Sequence, residues 1–249
     1  MFSAAGYVAY LFFQKDWLHK TGHYFLIAGF LFHGLAFGYD FVESGYFPVN
    51  NLHKTLVFAV WTLAGAFLIF QYIFNVKILG IYAAPLVTFV MIATLKLPMN
   101  PVKTKTILTS FWLFVHIVGV FIGEACFTLA CGIGFLYLVQ EHAIKTKTHG
   151  FFFTRLPSLQ LLDRSGYACI IAGFTILSVG LLSGFVYAGF VYGKFWGRDP
   201  RVIWSGITWL VYAVLLHQRF ALGWRGRRAA LMAILGFATL LFTFHFLWC

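Results

Sequence analysis

Eight apolar runs approach the roughly 20 residues that carry an α-helix across a bilayer, and together they take up most of this chain. They are Met1–Phe13, Gly22–Tyr39, His53–Phe74, Ile78–Leu95, Ile107–Gln140, Gly166–Tyr192, Val202–Phe220 and Ala229–Trp248. The first is short, and either begins at the interface or lies deep with its N-terminus; the fifth is long enough to project beyond the bilayer or to tilt. The expected fold is all-α, a polytopic integral membrane bundle of about eight transmembrane helices forming a single domain over residues 1–249. No soluble appendage is expected. The longest connection, His142 to Ser165, has room for a short amphipathic helix.

Composition agrees with a lipid environment. Hydrophobic residues make up 61% of the chain and charged residues 10%, against about half and about a quarter in soluble domains. The aromatic share of 20% suits interfacial belts and the faces of flat apolar ligands. A net charge of +11 raises nucleic acid as a partner, but the basic residues stand in short connections beside apolar runs. They form no exposed basic face, so nucleic acid is excluded and the charges read as orientation signals.

Eight helices place both termini on one side of the membrane. Lys15, Lys20, Lys77, Lys145, Lys147, Arg155, Arg164, Arg219, Arg225, Arg227 and Arg228 then share the opposite side, eleven against the seven of Lys54, Lys96, Lys103, Lys105, Lys194, Arg198 and Arg201. The richer side should be cytoplasmic, which leaves both termini extracytoplasmic in a bacterial cytoplasmic membrane. The chain opens apolar without a basic leader, so a cleavable signal peptide is not expected. Pro48, Pro98, Pro101, Pro157 and Pro200 mark connections, whereas Pro85 falls inside the fourth run and should bend it. Gly180, Gly184, Gly189 and Gly193 recur along helix six, a spacing that lets helices approach closely, within the chain or in a homodimer. Cys126, Cys131, Cys169 and Cys249 show no paired spacing and read as packing residues.

Histidine is the chemically informative residue. An ionisable group in hydrocarbon costs a few kcal/mol and points to function by default. His33, His116, His217 and His245 lie within the runs, His33 and His116 near mid-span, His217 and His245 near opposite ends. His19, His142 and His149 fall in connections and should be solvated, while His23 and His53 sit at helix ends. Zinc is disfavoured, because its sites usually add cysteine or carboxylate and the one deep acid is Glu124, a proton relay or an acceptor for a neighbouring helix. Haem fits better, since imidazole ligates its iron and its ring is at home among aromatic residues and glycine. Its propionates would meet Lys194, Arg198 and Arg201 at one face, or Arg219, Arg225, Arg227 and Arg228 at the other.

These residues resemble the cytochrome c assembly family of the CcsA, CcmC and HemX type. The family's tryptophan-rich outer loop, WGxxWxWDPK, is matched by Tyr192, Gly193, Phe195, Trp196, Arg198, Asp199, Pro200 and Arg201, with one of three tryptophans kept. The stretch ITWLVYAVLLHQRFALGWRGRR is similar to the family's helix ending in Leu-His-x-Arg, and FWLFVHIVGVFIGEACFTLACGIGFLYLVQEHAIK to its histidine-bearing helix. GYFPVNNLHKTLVFAVW resembles its proline-containing loop, with His53 at a position that is often acidic. The resemblance implies that His116 and His245 form an outer pair flanking the loop of Trp196, Arg198 and Arg201. It implies that His33 and His217 form a membrane pair nearer the cytoplasm. All four would be axial ligands of haem iron, and the reduced loop points to the shorter HemX-like members.

The function expected is therefore that of a haem-binding membrane protein that transports or chaperones non-covalent haem b, up to two per chain, for cytochrome c maturation. Cytochrome c assembly proteins or a haem-synthesis enzyme would be its partners. Two other readings remain: a transmembrane electron carrier of the cytochrome b kind, and a membrane regulator of a tetrapyrrole-synthesis enzyme. No nucleophile and base, phosphate loop or carboxylate pair is visible, so a self-sufficient enzyme is not expected.

Overall fold

A computed structural model of the protein describes residues 1–45, 47, 49, 51–98, 111–147, 150, 151, 153–193 and 200–248, without the side chains of 192, 200, 201 and 243–248. Its helices are α1 (Phe2–Phe13), α2 (Asp16–Ser44), α3 (Leu52–Phe74), α4 (Gly80–Thr94), α5 (Phe111–Lys145), α6 (Leu159–Tyr192), α7 (Pro200–Leu222) and α8 (Arg227–Trp248). A single tight turn, Lys77–Leu79, leads into α4, and no strand occurs among the described residues. Helices satisfy every backbone donor within the segment, which is what hydrocarbon demands. Among the described residues five segments are long and apolar enough to cross a membrane: Asp16–Ser44, Leu52–Phe74, Lys77–Thr94, Phe111–Lys145 and Leu159–Val191.

Each apolar run carries a helix, but several helices outlast their runs. α2 begins at Asp16 rather than Gly22 and ends at Ser44 rather than Tyr39, while α6 begins at Leu159 rather than Gly166. The expected connection from His142 to Ser165 shrinks accordingly, and its described residues form no amphipathic helix of their own. Polar residues at these ends continue the hydrogen-bonded helix because nothing in them breaks it, and Ser158 caps α6 by accepting from Leu161 N.

The helices group into two compact units, residues 1–109 and 110–249. In the first unit Gln14 adopts a left-handed conformation (φ 53°), so the chain reverses at once and α2 runs back along α1. The two helices meet at Gly6 and Gly22, where a Cβ on Gly6 would lie 2.8 Å from the Gly22 Cα. Tyr7, fully buried, rests on Gly80 at the start of α4. Polar ties mark the two ends of this unit. Lys77 pairs with Asp16 at 2.9 Å at one end, and Lys54 pairs with Asp40 at 2.7 Å at the other. At that second end the His53 ring donates from Nδ1 to the Thr94 carbonyl at 2.9 Å. The α1–α2 and α3–α4 turns therefore share one end, and the start of α3 shares the other with the end of α4, as successive membrane crossings require.

In the second unit α5 and α6 lie antiparallel and in close contact. A Cβ on Gly180 would stand 2.8 Å from the backbone nitrogen of Val120, and one on Gly119 would stand 2.8 Å from the Gly180 Cα. The glycine spacing of helix six thus serves close packing within the chain at Gly180 and Gly184. Phe127 of α5 stacks on Tyr212 of α7 at 3.4 Å between ring centres, both fully buried, and Trp209 Nε1 of α7 donates to Ser178 Oγ of α6 at 2.8 Å. Cys126 and Cys169 are buried and unpaired, as packing residues should be. Pro85 stands inside α4 and denies the Ile81 carbonyl its helical donor.

The close approach has a measurable consequence. Gly180→Ala must push α5 and α6 apart and should cost about 1–3 kcal/mol, seen as a lower unfolding midpoint in detergent. Gly38→Ala on α2, where a Cβ meets nothing within 4 Å, should leave the midpoint unchanged or slightly raised. Equal midpoints for the two variants would contradict the contact.

Candidate functional site

His33 lies on α2 in the first unit, half-buried, and makes no hydrogen bond to any described residue. Its side chain lines a cavity of about 420 Å³ bounded by Leu26, Phe30, Val60, Trp61, Ala64, Ala84, Val87 and Met91, a nearly apolar chamber within the usual size range of ligand sites. Trp61 and Phe30 stack at 4.9 Å with planes 3° apart, and Trp61 Nε1 donates to the Phe30 carbonyl at 3.0 Å. The indole's polar atom is therefore satisfied by α2, and Phe58 and Phe37 stack on its ring as well, at 5.8 and 6.4 Å. Gly34 sits against this indole, where a Cβ would come within 3.3 Å of Nε1.

His116 is built differently. It lies in the second described turn of α5, and its Nδ1 is 2.8 Å from the Gly180 carbonyl on α6. A carbonyl only accepts, so Nδ1 carries the proton and Nε2 keeps its lone pair. Gly184 leaves room for the ring, since a Cβ there would fall 2.5 Å from Nδ1. A carbonyl that fixes the tautomer and ring orientation is the usual support behind an imidazole that binds metal. His53 has the same arrangement through Thr94.

The remaining expected residues divide. His217 is exposed on α7, without a hydrogen bond to the described residues, at the end of the second unit opposite to His116. The structure does not bring those two together, and His33 belongs to the first unit. The side chain of His245, in the last turn of α8, lies outside the described residues, as do Trp196, Arg198 and Lys194 and the side chain of Arg201. The Glu124 carboxyl has no hydrogen-bond partner among the described residues, so the role of acceptor for a neighbouring helix finds no support in them. A second apolar cavity of about 400 Å³ between α6 and α7, lined by Leu181, Phe185 and Trp209 among others, is lined by none of the histidines. Among the described residues no three His, Cys, Asp or Glu side chains gather into a metal site.

Of the histidines expected in solvent or at a helix end, His19 is buried and His23 half-buried. His19 is 7% exposed on α2, and its Nε2 accepts from Gln71 Nε2 of α3 at 3.0 Å. The same amide reaches His23 Nδ1 at 3.2 Å, while Tyr7 donates its hydroxyl proton to Gln71 Oε1 at 2.9 Å. The signal was present in the spacing, because residues four apart share a helix face. It was obscured by Lys15, Asp16 and Lys20, which look like a connection.

Residues 49–248 match the family described as cytochrome C assembly protein. His116, His217 and His245 fall within that match, and His33 precedes it. The chain is 32% identical over 222 residues to the cytochrome c biogenesis protein CcsA of Guillardia theta, covering 82% of this chain and 74% of the relative. It is 30% identical over 247 residues to CcsA of Prochlorococcus marinus (strain MIT 9515), with 88% and 77% covered, and 31% identical over 225 residues to that of Welwitschia mirabilis, with 78% and 72% covered.

The carbonyl behind His116 fixes an observable state. Nitrogen NMR of ¹⁵N-histidine-labelled protein in lipid should give His116 a protonated Nδ1 and a bare Nε2, and the assignment should be lost in His116→Gln. The opposite tautomer would remove the Gly180 contact and with it the argument from orientation.

Proposed function

The chain belongs to the cytochrome c assembly protein family, and from that premise we propose that it binds haem b non-covalently through membrane imidazoles and holds or passes it for cytochrome c maturation. It is a multi-pass membrane protein, and the family ties it to cytochrome c maturation. The observation that carries the haem reading is His33, an imidazole with no hydrogen bond to the described residues, on the wall of a mostly apolar cavity beside a stacked indole. Burying a polar group without a partner is costly, and a ligand that accepts the lone pair offsets that cost.

Haem, as cargo, brings the equatorial ligands of its iron and asks the protein for axial ones, which imidazole supplies. In this reading His33 would hold the iron through an imidazole nitrogen, in the cavity that Trp61 and Phe30 also line. His116 offers Nε2, aimed by Gly180 and given space by Gly184. His217 and His245 supply the further imidazoles, and Trp196, Arg198 and Arg201 supply the loop that receives haem and its propionates on the outer side. One imidazole per bound face holds haem firmly enough to extract it and loosely enough to release it. The protein sits in the bacterial cytoplasmic membrane with both termini extracytoplasmic. In this reading covalent attachment belongs to a partner in the assembly system.

The test is absorption. Protein purified from haem-replete cells should show a Soret band with a measurable haem-to-protein ratio. His33→Ala and His116→Ala should each lower that ratio, and their combination should abolish it. Gly184→Ala, which displaces the ring without removing it, should weaken haem binding about 10–100-fold, as loss of a supporting contact behind a metal ligand does. A Soret band undiminished in the double variant would end this reading.

A further inference from the structure

We propose that the second unit binds the phosphate of an acidic phospholipid in the basic groove where the end of α5, the end of α7 and the start of α8 meet. The groove contains none of the histidines read as haem ligands. Its volume is about 590 Å³, and it is lined by Tyr137, Glu141 and Lys145 from α5 and by the segment from Leu222 to Arg228. Its lining sets Lys145, Arg225, Arg227 and Arg228 against one acid, Glu141, and Asp163 behind the loop also feels the charge of Arg225.

Glu141 is already engaged, with Lys145 at 2.8 Å and more weakly with Arg227 at 3.9 Å. Arg225 is exposed and makes no ion pair or hydrogen bond with the described residues. The Arg228 guanidinium stands 5.3 Å over the Trp224 ring, which orients it without neutralising it. Two guanidinium groups are thus left for an anion, and the first turn of α8, beginning at Arg227, adds the positive end of a helix dipole.

The loop that carries them is fixed. Asp163 of α6 accepts from both terminal nitrogens of Arg219, at 3.0 and 2.7 Å, and from the Gly226 amide at 2.8 Å. Arg219 also lies 4.0 Å over the Tyr167 ring. Gly226 has φ +66°, and a Cβ there would strike the Tyr137 hydroxyl at 2.6 Å. The loop's own strong charge is therefore consumed in holding its shape, and the neighbouring arginines are presented from a rigid frame.

A lipid fits better than free phosphate because apolar surface adjoins the cations. Phe220 and Leu222, 75% and 63% exposed, stand on α7 just before the loop. A headgroup on Arg225 and Arg228 places its acyl chains against that flank, in the interface where tryptophan is also at home. Basic pockets between helix ends are recurrent headgroup sites.

The experiment uses the full-length protein in phosphatidylcholine nanodiscs titrated with phosphatidylglycerol, read by native mass spectrometry, with inorganic phosphate as a separate probe. Wild type should hold phosphatidylglycerol in preference to phosphatidylcholine, and inorganic phosphate should not displace it. Arg225→Gln/Arg228→Gln should weaken that binding about 30-fold, equivalent to about 1 kcal/mol for each cation, while Arg225→Lys/Arg228→Lys keeps most of it. Phosphatidylglycerol binding should be unchanged in His33→Ala/His116→Ala, which separates failure here from failure of the haem reading. Undiminished phosphatidylglycerol binding in the glutamine variant, or displacement by phosphate, would overturn the proposal.

Discussion

The contact between Gly119 and Gly180 determines most of what the second unit can do. With no side chain at either position the backbones of α5 and α6 come close enough for a side chain on one helix to reach the main chain of the other. His116, less than one turn before Gly119, uses that proximity to give its Nδ1 proton to the Gly180 carbonyl. Helical carbonyls are normally committed to their own helix, but each has two lone pairs, and Gly180 has no Cβ to cover the second. The same carbonyl also takes a hydrogen bond from the Ser183 hydroxyl at 2.8 Å, so α6 and α5 share one acceptor. A larger residue at either glycine would separate the helices and free the imidazole to turn.

Lipid makes every polar side chain in a helix answerable to a partner, and that rule explains where the sequence could be read and where it misled. The eight apolar runs located eight helices because run length is a local property. The helix ends were less legible, since Lys15, Asp16 and Lys20 look like a loop when scanned for hydropathy alone. In the structure the left-handed Gln14 turns the chain so sharply that these charges lie on the first turns of α2, with Asp16 reaching Lys77. His19 and His23, three and seven residues after Asp16, share that side of α2 and reach inward to Gln71. Gln71 itself, a polar residue near the end of an apolar run, is the partner whose presence no pattern within α2 could disclose.

The same locality limits what spacing says about the site. That Gly180 and Gly184 make close contacts was legible, and so was the set of helices bearing histidine. Which face of α5 meets which face of α6 depends on crossing and register, and these follow from side-chain volumes on two segments far apart in sequence. The clamp of Asp163 on Arg219 and Gly226 is another case. Arg219 reads as one of a cluster of inward-facing cations, yet it is tied to an acid 56 residues away and contributes shape rather than free charge. Counting cations on either side of the membrane treats it as equal to Arg225, which the structure does not.

The histidines show how hydrogen bonding sorts residues of identical composition. An imidazole has one proton and one lone pair when neutral, and a metal can use only the lone pair. His19 has given its Nε2 lone pair to the Gln71 amide, so in this arrangement that nitrogen is spent on packing the first unit. His23 gives its Nδ1 lone pair to the same amide. His53 and His116 have given away the proton at Nδ1 instead, and each keeps Nε2. His33 has given away neither among the described residues, and it alone of these lines the 420 Å³ cavity. Burial by itself would rank His19 above His33 as a functional residue, since His19 is the more enclosed. The direction of each hydrogen bond reverses that order, because a ligand needs the lone pair that a well-packed histidine has already used.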